Sequence, residues 1–454
     1  MTNWHALSQQ FPADRFSLTE ADRQLHAQDQ SSHAAHLPDA VVWPVTTAEV
    51  SAILRWASDQ RVPVVGWGAG SSLEGNPIPV QGGLVVDFGR MNGMTAVYDQ
   101  DFQVVVQPGI LYKDMNKSLA QYGLFFAPDP GANASIGGMI ANNAAGSRTV
   151  KYGATRDNVL ALEVVLASGE IIRTGSRSVK QSAGYDLTHL FTGSEGTLGL
   201  ITEATLKLAP LPQHFSAVVA AFPSTKHAAE AVFGIMGSGL GPAALELLDE
   251  TSIGVLCSDG DFDFAIAPNL FMEFHGASEA SLGEELLLVE EICRDCGAIR
   301  YQTGLGVESR NKLWEARHRL FEVFIRRFPG HAWLLTDVAV PISQYPVLVA
   351  YTSEQIERLG LACGIIGHAG DGNMHTAAFF PREDTTGWQR GQELNDLVVA
   401  KAIALGGTCT GEHGVGIGKQ KYMVQEHGEA AVQLMRQIKA TFDPLNILNP
   451  GKVV

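Results

Sequence analysis

The chain has 454 residues, of which 45% are hydrophobic and 18% are charged, so it is long enough for two or three globular domains with a large buried interior. Acidic residues outnumber basic ones by 48 to 32, and the formal net charge of −16 argues against a nucleic-acid-binding surface. Residues 1–40 are polar throughout, unlike a signal peptide, and no apolar run reaches the roughly 18 residues of a membrane span. We therefore expect a soluble, cytoplasmic protein, with peripheral attachment to the inner membrane left open.

Of the five cysteines, only Cys293 and Cys296 form a Cys-x-x-Cys pair. A metal or iron–sulfur site would need further ligands at matching spacing, which this pair lacks. The pattern predicts reduced thiols, and any iron–sulfur relay would then belong to another chain.

The first predicted elements lead into a glycine-rich turn. Thr46 and Glu49 have capping-box spacing and begin an amphipathic helix that precedes an apolar strand at Val62–Val65. In the turn Gly66–Ser72, glycines allow successive N–H groups to point into one concavity that suits a phosphate. The spacing is neither Gly-x-Gly-x-x-Gly nor a P-loop, and the prolines in 74–79 disfavour the helix that both motifs require. A phosphate site and an ordinary turn both stay open here.

Two further glycine-rich segments follow in the first half of the chain. The run Pro130–Gly146 has almost no large side chain, so it fits either the close approach of a large ligand or the close packing of two helices. Gly193–Gly199 forms a third turn before the predicted strand Leu200–Leu208. Three such turns suggest one extended, phosphate-bearing ligand. Between them the sequence predicts strands at 84–88 and 103–107, a helix at 111–122, and a hairpin over 159–173.

Pro210–Pro212 is the first plausible domain boundary. Alternating strand and helix patterns beyond it fit a second α+β domain. These are predicted strands at 217–222, 244–248 and 269–274 and helices at 225–236 and 279–296.

A polar constellation lies in the last quarter of the chain. His368 and His375 flank a turn-forming segment, and Glu412 and His413 lie in the glycine-rich turn Gly411–Gly418. Two imidazoles and one carboxylate could hold a divalent metal with open positions, as catalytic sites do. Solvated loop residues are the alternative interpretation at this point.

Taken together, five segments in this order resemble the FAD-dependent D-2-hydroxyacid dehydrogenases of the vanillyl-alcohol-oxidase type of flavoproteins, with cytochrome-type D-lactate dehydrogenases the nearest group. The segments are Val64–Ser72, Pro130–Gly146, Thr192–Gly199, Gly367–His375 and Thr410–Gly414. The match runs from about Pro44 to Lys452.

The resemblance implies an α+β fold with an FAD-binding domain of two subdomains and an α+β cap, or substrate, domain. On this basis the FAD domain covers 1–212, with a helical lead-in over about 1–40. The cap covers 213–425 and carries the metal site, and a C-terminal helix and tail at 426–454 return to the FAD domain.

The resemblance also implies the cofactor contacts. The pyrophosphate would be held by Gly68, Gly70, Ser71 and Ser72. The second run would lie along the pyrophosphate and isoalloxazine through Pro130, Gly131, Ala134, Ser135, Gly138 and Asn142, with Glu195, Gly196, Gly199 and Ile201 nearby. Some relatives attach FAD through a His or Cys near these loops, but neither occurs between Val41 and Ala183, so we expect non-covalent FAD.

For the second constellation, the resemblance implies Zn²⁺ or Mn²⁺ on His368, His375 and Glu412. Oxidation of a 2-hydroxy acid requires loss of the hydroxyl proton while hydride leaves the α-carbon, and an imidazole can take that proton at neutral pH. We expect His413 to be this base and Arg317 to bind the substrate carboxylate. A surface charge on an amphipathic helix is the alternative for Arg317. Arg310, His318 and Asp337 are supporting residues or ordinary ion-pair partners.

The predicted function is FAD-dependent, metal-assisted oxidation of a small D-2-hydroxy acid, with D-lactate favoured, to the 2-oxo acid. Electrons would pass from flavin to an external acceptor such as a quinone, a cytochrome or an electron-transfer flavoprotein. Glycolate and D-2-hydroxyglutarate are the alternative substrates. A metal-dependent hydrolase and a non-catalytic flavin subunit are alternatives of other classes, and a homo-oligomer is left open.

Overall fold

The chain divides into two compact units in a computed structural model that describes residues 2–258 and 260–454. Unit 1 comprises Met1–Ala145, Gly153–Leu211 and Glu412–Val454, and unit 2 comprises Gly146–Tyr152 and Pro212–Gly411. The break at 211/212 lies next to the predicted boundary. Unit 2 ends at Gly411 rather than at residue 425, and it also takes a short segment from the predicted FAD domain.

Both units mix helices and strands, which confirms the α+β class. The strands are β1 (Phe16–Ser17), β2 (Ala40–Val42), β3 (Val64–Trp67), β4 (Leu84–Asp87), β5 (Met94–Tyr98), β6 (Gln103–Val106), β7 (Leu124–Phe125), β8 (Val159–Val165), β9 (Ile171–Gly175), β10 (Leu200–Lys207), β11 (Ala209–Pro210), β12 (His214–Ala221), β13 (Ala244–Leu248), β14 (Asn269–Gly276), β15 (Arg300–Leu305), β16 (His331–Ala339), β17 (Ala362–His368) and β18 (Asn373–Pro381).

The helices are α1 (Trp4–Ser8), α2 (Glu20–Leu25), α3 (Thr47–Gln60), α4 (Tyr112–Leu119), α5 (Ile136–Asn142), α6 (Thr149–Tyr152), α7 (Leu187–Phe191), α8 (Thr225–Gly237), α9 (Glu250–Ser258), α10 (Glu279–Asp295), α11 (Val307–Arg327), α12 (Tyr345–Leu359), α13 (Thr385–Ala404), α14 (Met423–His427) and α15 (Glu429–Phe442). In residues 2–258 and 260–454, none of these is both long and apolar enough to cross a membrane.

Unit 1 contains two principal sheets. The first has the strand order β1-β2-β4-β3, and its parallel strands β2, β4 and β3 read as continuous apolar runs because both faces are covered. Helix α3 packs into this core through Val50, Ile53 and Leu54, and Thr46 caps it by accepting a hydrogen bond from the Glu49 N–H. The predicted capped helix is therefore confirmed.

The second sheet of unit 1 is antiparallel, with the order β5-β6-β10-β8-β9. The predicted hairpin is confirmed as β8 paired with β9. Helices α4 and α5 contribute Met115, Leu119, Met139 and Ile140 to its core. The predicted helix at 111–122 ends at Leu119 and continues only as a tighter turn.

Unit 2 is built on one antiparallel sheet of seven strands, in the order β15-β12-β14-β13-β17-β18-β16. Helix α11 packs on one face of this sheet. There Ala316, Leu320 and Phe324 join Val219 and Phe271 in one buried cluster. The face covered by α11 also carries the polar residues of the candidate site.

Candidate active site

The first two glycine-rich segments meet inside unit 1. A Cβ on Gly68 would lie 2.0 Å from the Oγ of Ser135, so any larger residue would force this hydroxyl to move. Ser135 is the N-cap of α5, and its hydroxyl accepts a hydrogen bond from the Gly138 N–H at 3.3 Å. The turn after β3 therefore lies against the first turn of α5.

The third glycine-rich turn joins the other end of α5. The Gly193 N–H donates to the Ile140 carbonyl and the Glu195 N–H donates to the Ala141 carbonyl, both at 2.9 Å. Backbone hydrogen bonds thus attach the third turn to the second run. Unit 1 therefore brings all three glycine-rich turns together.

The residues expected to bind FAD divide by exposure. Ten of them are partly or fully exposed: Gly68, Gly70, Ser71, Ser72, Pro130, Gly131, Ala134, Gly138, Asn142 and Gly196. Four are buried: Ser135, Glu195, Gly199 and Ile201. Ile201 belongs to the hydrophobic core, and a Cβ on Gly199 would lie 2.4 Å from Val164. Gly199 therefore leaves room for Val164 in the core, and the Ile201 side chain fills part of that core.

The Glu195 carboxylate holds a turn of the chain that carries the predicted base. It accepts hydrogen bonds from the N–H groups of Val415 at 2.6 Å and Gly416 at 3.0 Å. A third donor is the Asn76 amide at 2.7 Å. Gly414 adopts φ +80°, and a Cβ there would lie 2.8 Å from Glu195, so glycine is required.

The backbone carbonyl of His413 lies between two amides of unit 1. Asn76 and Asn142 each donate to it at 3.3 Å. Asn142 is the last residue of α5, in the second glycine-rich run. The predicted base is therefore attached to the segments predicted to bind FAD.

The C-terminal tail completes this support. The Asn449 amide donates to the carbonyls of Asn76 and Glu195, and Lys452 donates to the Ile78 carbonyl at 2.6 Å. Burial lowers the pKa of Lys452 to about 8, against the opposing charge of Glu195. Burial also raises the pKa of the Glu195 carboxyl, although its three hydrogen bonds partly offset this.

Unit 2 collects four polar side chains on one sheet face because of strand register. Glu246 on β13 pairs with His368 on β17, and His375 on β18 pairs with Asp337 on β16. Directly paired residues share a face, and so do residues two apart along a strand. Because His375 also pairs with Ile366, two residues before His368, all four side chains lie on the same face.

Glu246 is fully buried and makes two charge-assisted contacts. Its Oε1 lies 2.5 Å from Nδ1 of His368, and its Oε2 accepts from Nε of Arg317 at 2.8 Å. Burial acts to raise the pKa of Glu246, but the charges and hydrogen bonds of His368 and Arg317 outweigh it and hold the pKa at about 2. Arg317 is therefore anchored at a buried carboxylate rather than displayed as a surface charge.

Asp337 lies beside the second imidazole and holds the start of the glycine-rich turn by hydrogen bonds. Its Oδ1 lies 3.5 Å from Nδ1 of His375 and accepts from the Asn373 amide at 2.8 Å. Its Oδ2 accepts from the Thr410 hydroxyl and the Gly411 N–H, both at 2.8 Å. Glu412, the next residue in the chain, begins the segment of unit 1 that carries His413.

The donor set fits a divalent metal. The His368 and His375 rings lie 5.3 Å apart between centroids, and a buried carboxylate lies beside Nδ1 of each. The Glu246 contact fixes the His368 ring through Nδ1, a carboxylate–imidazole pairing that is common in metal sites. Sequence reasoning missed Glu246, whose strand reads as a buried apolar run. The side chains of Arg310 and His318 lie outside the described residues.

Two family models match the chain. The FAD binding domain model matches residues 38–175, and the model of the C-terminal domain of FAD linked oxidases matches residues 211–453. The fold resembles 4-ethylphenol oxidase from Gulosibacter chungangensis with a TM-score of 0.79, at 17% identity and with 98% of this chain and 95% of that chain covered. It resembles p-cresol methylhydroxylase with a TM-score of 0.78, at 18% identity, with 99% and 96% covered.

Curated relatives match almost the whole chain. The mitochondrial D-lactate dehydrogenase [cytochrome] of Arabidopsis thaliana is 40% identical, with 97% of this chain and 78% of that protein covered. The glycolate oxidase subunit GlcD of Bacillus subtilis is 37% identical, with 97% and 94% covered. The chain therefore belongs to the FAD-linked oxidases and is an FAD-dependent dehydrogenase that oxidises a 2-hydroxy acid.

Proposed function

We propose that the enzyme oxidises a small D-2-hydroxy acid, with D-lactate as the preferred substrate, in a metal-assisted reaction. One observation carries this proposal. Arg317 and His368 contact the same buried carboxylate, Glu246, on a sheet face that also holds His375 and Asp337. A guanidinium beside two imidazoles suits a substrate that has a carboxylate next to a hydroxyl.

Arg317 is proposed to bind the substrate carboxylate. Its Nε is engaged by Glu246, which fixes the guanidinium plane, and its side chain keeps 20% exposure. The two terminal nitrogens can then form a forked contact with a carboxylate. This arrangement orients the α-carbon of the substrate without a covalent bond.

His413 is proposed as the base that removes the hydroxyl proton. An imidazole has a pKa near neutrality, and the Asn76 and Asn142 amides fix the backbone of this residue. Bound FAD would supply the hydride acceptor for the α-carbon, while the residues of this chain position the substrate and take the proton. We propose that FAD is non-covalent, because no His or Cys lies between residues 41 and 183.

His368, His375 and Glu412 are proposed to hold the divalent metal. Two imidazoles and a carboxylate suit Zn²⁺ or Mn²⁺ and leave positions open. A metal at this site would act as a Lewis acid that lowers the pKa of the substrate hydroxyl. Replacing His368 by Ala should lower bound metal together with turnover, and full metal occupancy in this variant would remove His368 from the ligand set.

Substrate and acceptor are proposed from the relatives. Curated names support D-lactate and a cytochrome acceptor, and the Bacillus relative supports glycolate as the second candidate. A quinone or an electron-transfer flavoprotein would serve the same chemistry. D-2-Hydroxyglutarate would require an additional cation for its second carboxylate.

A substrate panel tests the proposal. Purified enzyme with an artificial dye acceptor should turn over D-lactate with the highest kcat/KM, followed by glycolate, and should reject L-lactate. A higher kcat/KM for glycolate or D-2-hydroxyglutarate would overturn the assignment of D-lactate. A protein that remains colourless with added FAD would contradict the flavoenzyme assignment and favour the metal-dependent hydrolase.

A further inference from the structure

Glu246 is a buried carboxylate shared by two functional side chains. It has 0% exposure, and each of its oxygens serves a different partner, Oε1 to His368 and Oε2 to Arg317. One partner lies on a strand of the same sheet and the other on α11. Loss of either contact would leave one oxygen of the buried Glu246 carboxylate without its charged partner. The positions of Glu246, His368 and Arg317 therefore depend on one another.

We propose that Glu246 is a positioning residue that couples binding of the substrate carboxylate to binding of the metal. This inference rests on the proposed function, in which Arg317 holds the carboxylate and His368 holds the metal. A carboxylate that accepts a hydrogen bond from an imidazole Nδ1 raises the basicity of the opposite nitrogen toward a metal. Arg317 partly neutralises the same carboxylate. A change at Arg317 therefore alters the negative charge that Glu246 presents to the His368 imidazole.

Coupling of this kind is reciprocal. If occupancy at Arg317 alters the affinity of the metal, occupancy by the metal must alter the affinity for the carboxylate by the same factor. Removing the Arg317 charge leaves the full negative charge of Glu246 acting on His368. We therefore expect Arg317→Met to bind the metal about 10-fold more tightly, although Arg317 is not a proposed ligand.

Glu246→Gln should abolish the coupling. His368 and Arg317 contact different oxygens of Glu246, so replacing one of these oxygens by NH₂ places a donor against the donor of one partner. We expect this variant to lose about 10-fold in metal affinity and to raise the KM for D-lactate.

Glu273 offers a matched control. It is also buried on a strand of this sheet, with 1% exposure, and its Oε1 likewise lies 2.5 Å from a histidine, His275. Neither Glu273 nor His275 is a proposed ligand. Glu273→Gln therefore reproduces the loss of a buried carboxylate–imidazole pair on the same sheet, at residues that are neither proposed ligands nor contacts of Arg317.

The test is a double-mutant cycle read by metal affinity. Zn²⁺ binding to FAD-loaded protein is measured by competition with a chelator for wild type, Arg317→Met, Glu246→Gln and the double variant, with Glu273→Gln as control. The proposal predicts tighter binding in Arg317→Met, wild-type affinity in Glu273→Gln, and no effect of Arg317→Met in the Glu246→Gln background.

Two outcomes would overturn the coupling. One is an Arg317→Met affinity equal to wild type, which is decisive even if Glu246→Gln does not fold. The other is the same effect of Arg317→Met in both backgrounds. A wild type that binds neither Zn²⁺ nor Mn²⁺ would instead refute the proposed metal function, and the coupling with it, so the two failures are distinguishable.

Discussion

At the scale of single residues, the proposed role of His413 as the base is the most specific chemical claim. The carbonyl of this residue is held by two amides, so a side-chain truncation should leave the surrounding backbone in place. We expect His413→Ala to retain normal flavin content while flavin reduction by D-lactate slows by about 10²–10⁴-fold, the usual contribution of a general base. Anaerobic stopped-flow absorbance measures this rate.

The exposed His427 on α14 provides the control for that variant. His427→Ala should reduce its flavin at the wild-type rate. Parallel loss of flavin and of activity in His413→Ala would instead indicate a structural role for His413.

Asp249 is a second residue whose effect can be measured, because its ionisation makes the free energy of unfolding depend on pH. It follows β13, is buried, and accepts a hydrogen bond from the Ser252 N–H at 2.8 Å. Burial raises its pKa from 3.8 to about 6. Between these values the folded state keeps a proton that the unfolded state has lost, so this group makes the free energy of unfolding fall as pH rises from about 4 to 6.

Asp249→Asn should remove that contribution. Its free energy of unfolding relative to wild type should rise by roughly 2 kcal/mol between pH 4 and pH 7, measured by urea denaturation. Asp263, whose side chain is 94% exposed, gives the control variant Asp263→Asn. Identical pH profiles for wild type and Asp249→Asn would show that the carboxyl ionises normally in the folded state.

At the scale of elements, the close contact between α5 and the turn after β3 depends on the lack of a side chain at Gly68. A methyl group on Gly68 would displace the Ser135 hydroxyl from its capping position. We expect Gly68→Ala to raise the dissociation constant of FAD at least tenfold, measured by reconstitution of the apoprotein. Gly283→Ala on α10 is the control, because a Cβ there meets nothing within 4 Å. Wild-type FAD affinity in Gly68→Ala would contradict a tight approach at this turn.

The turn 413–416 depends on hydrogen bonds to the Glu195 carboxylate. Because its carboxylate accepts hydrogen bonds from Val415, Gly416 and Asn76, Glu195→Gln replaces one acceptor oxygen by a donor. We expect slower flavin reduction with FAD affinity close to wild type. A large loss of FAD affinity at an unchanged reduction rate would instead assign the side chain of Glu195 to the cofactor.

At the scale of the whole molecule, most elements follow from local sequence signals. The capping residue Thr46, the apolar runs of β4 and β10 and the hairpin around Gly169 each carry a local pattern, and the structure confirms these elements. The three glycine-rich turns also follow from the local sequence, because clusters of glycine mark places where the backbone turns sharply or approaches another group closely.

Other features depend on contacts distant in sequence. Glu246 lies within a fully buried strand, and its role appears only when register places it opposite His368, 122 residues away. The end of unit 2 at Gly411 is set by hydrogen bonds to Asp337 and by the bonds of the following turn to Glu195. No local composition change marks that point, and the sequence predicts the end of the cap domain at residue 425 instead.

The most direct test of the account is anaerobic reduction of the bound flavin without any added acceptor. D-Lactate should bleach the flavin absorbance of the wild-type enzyme within its turnover time, whereas L-lactate should leave it unchanged. Flavin that stays oxidised with D-lactate, glycolate and D-2-hydroxyglutarate alike would contradict the central claim that this enzyme oxidises a small D-2-hydroxy acid.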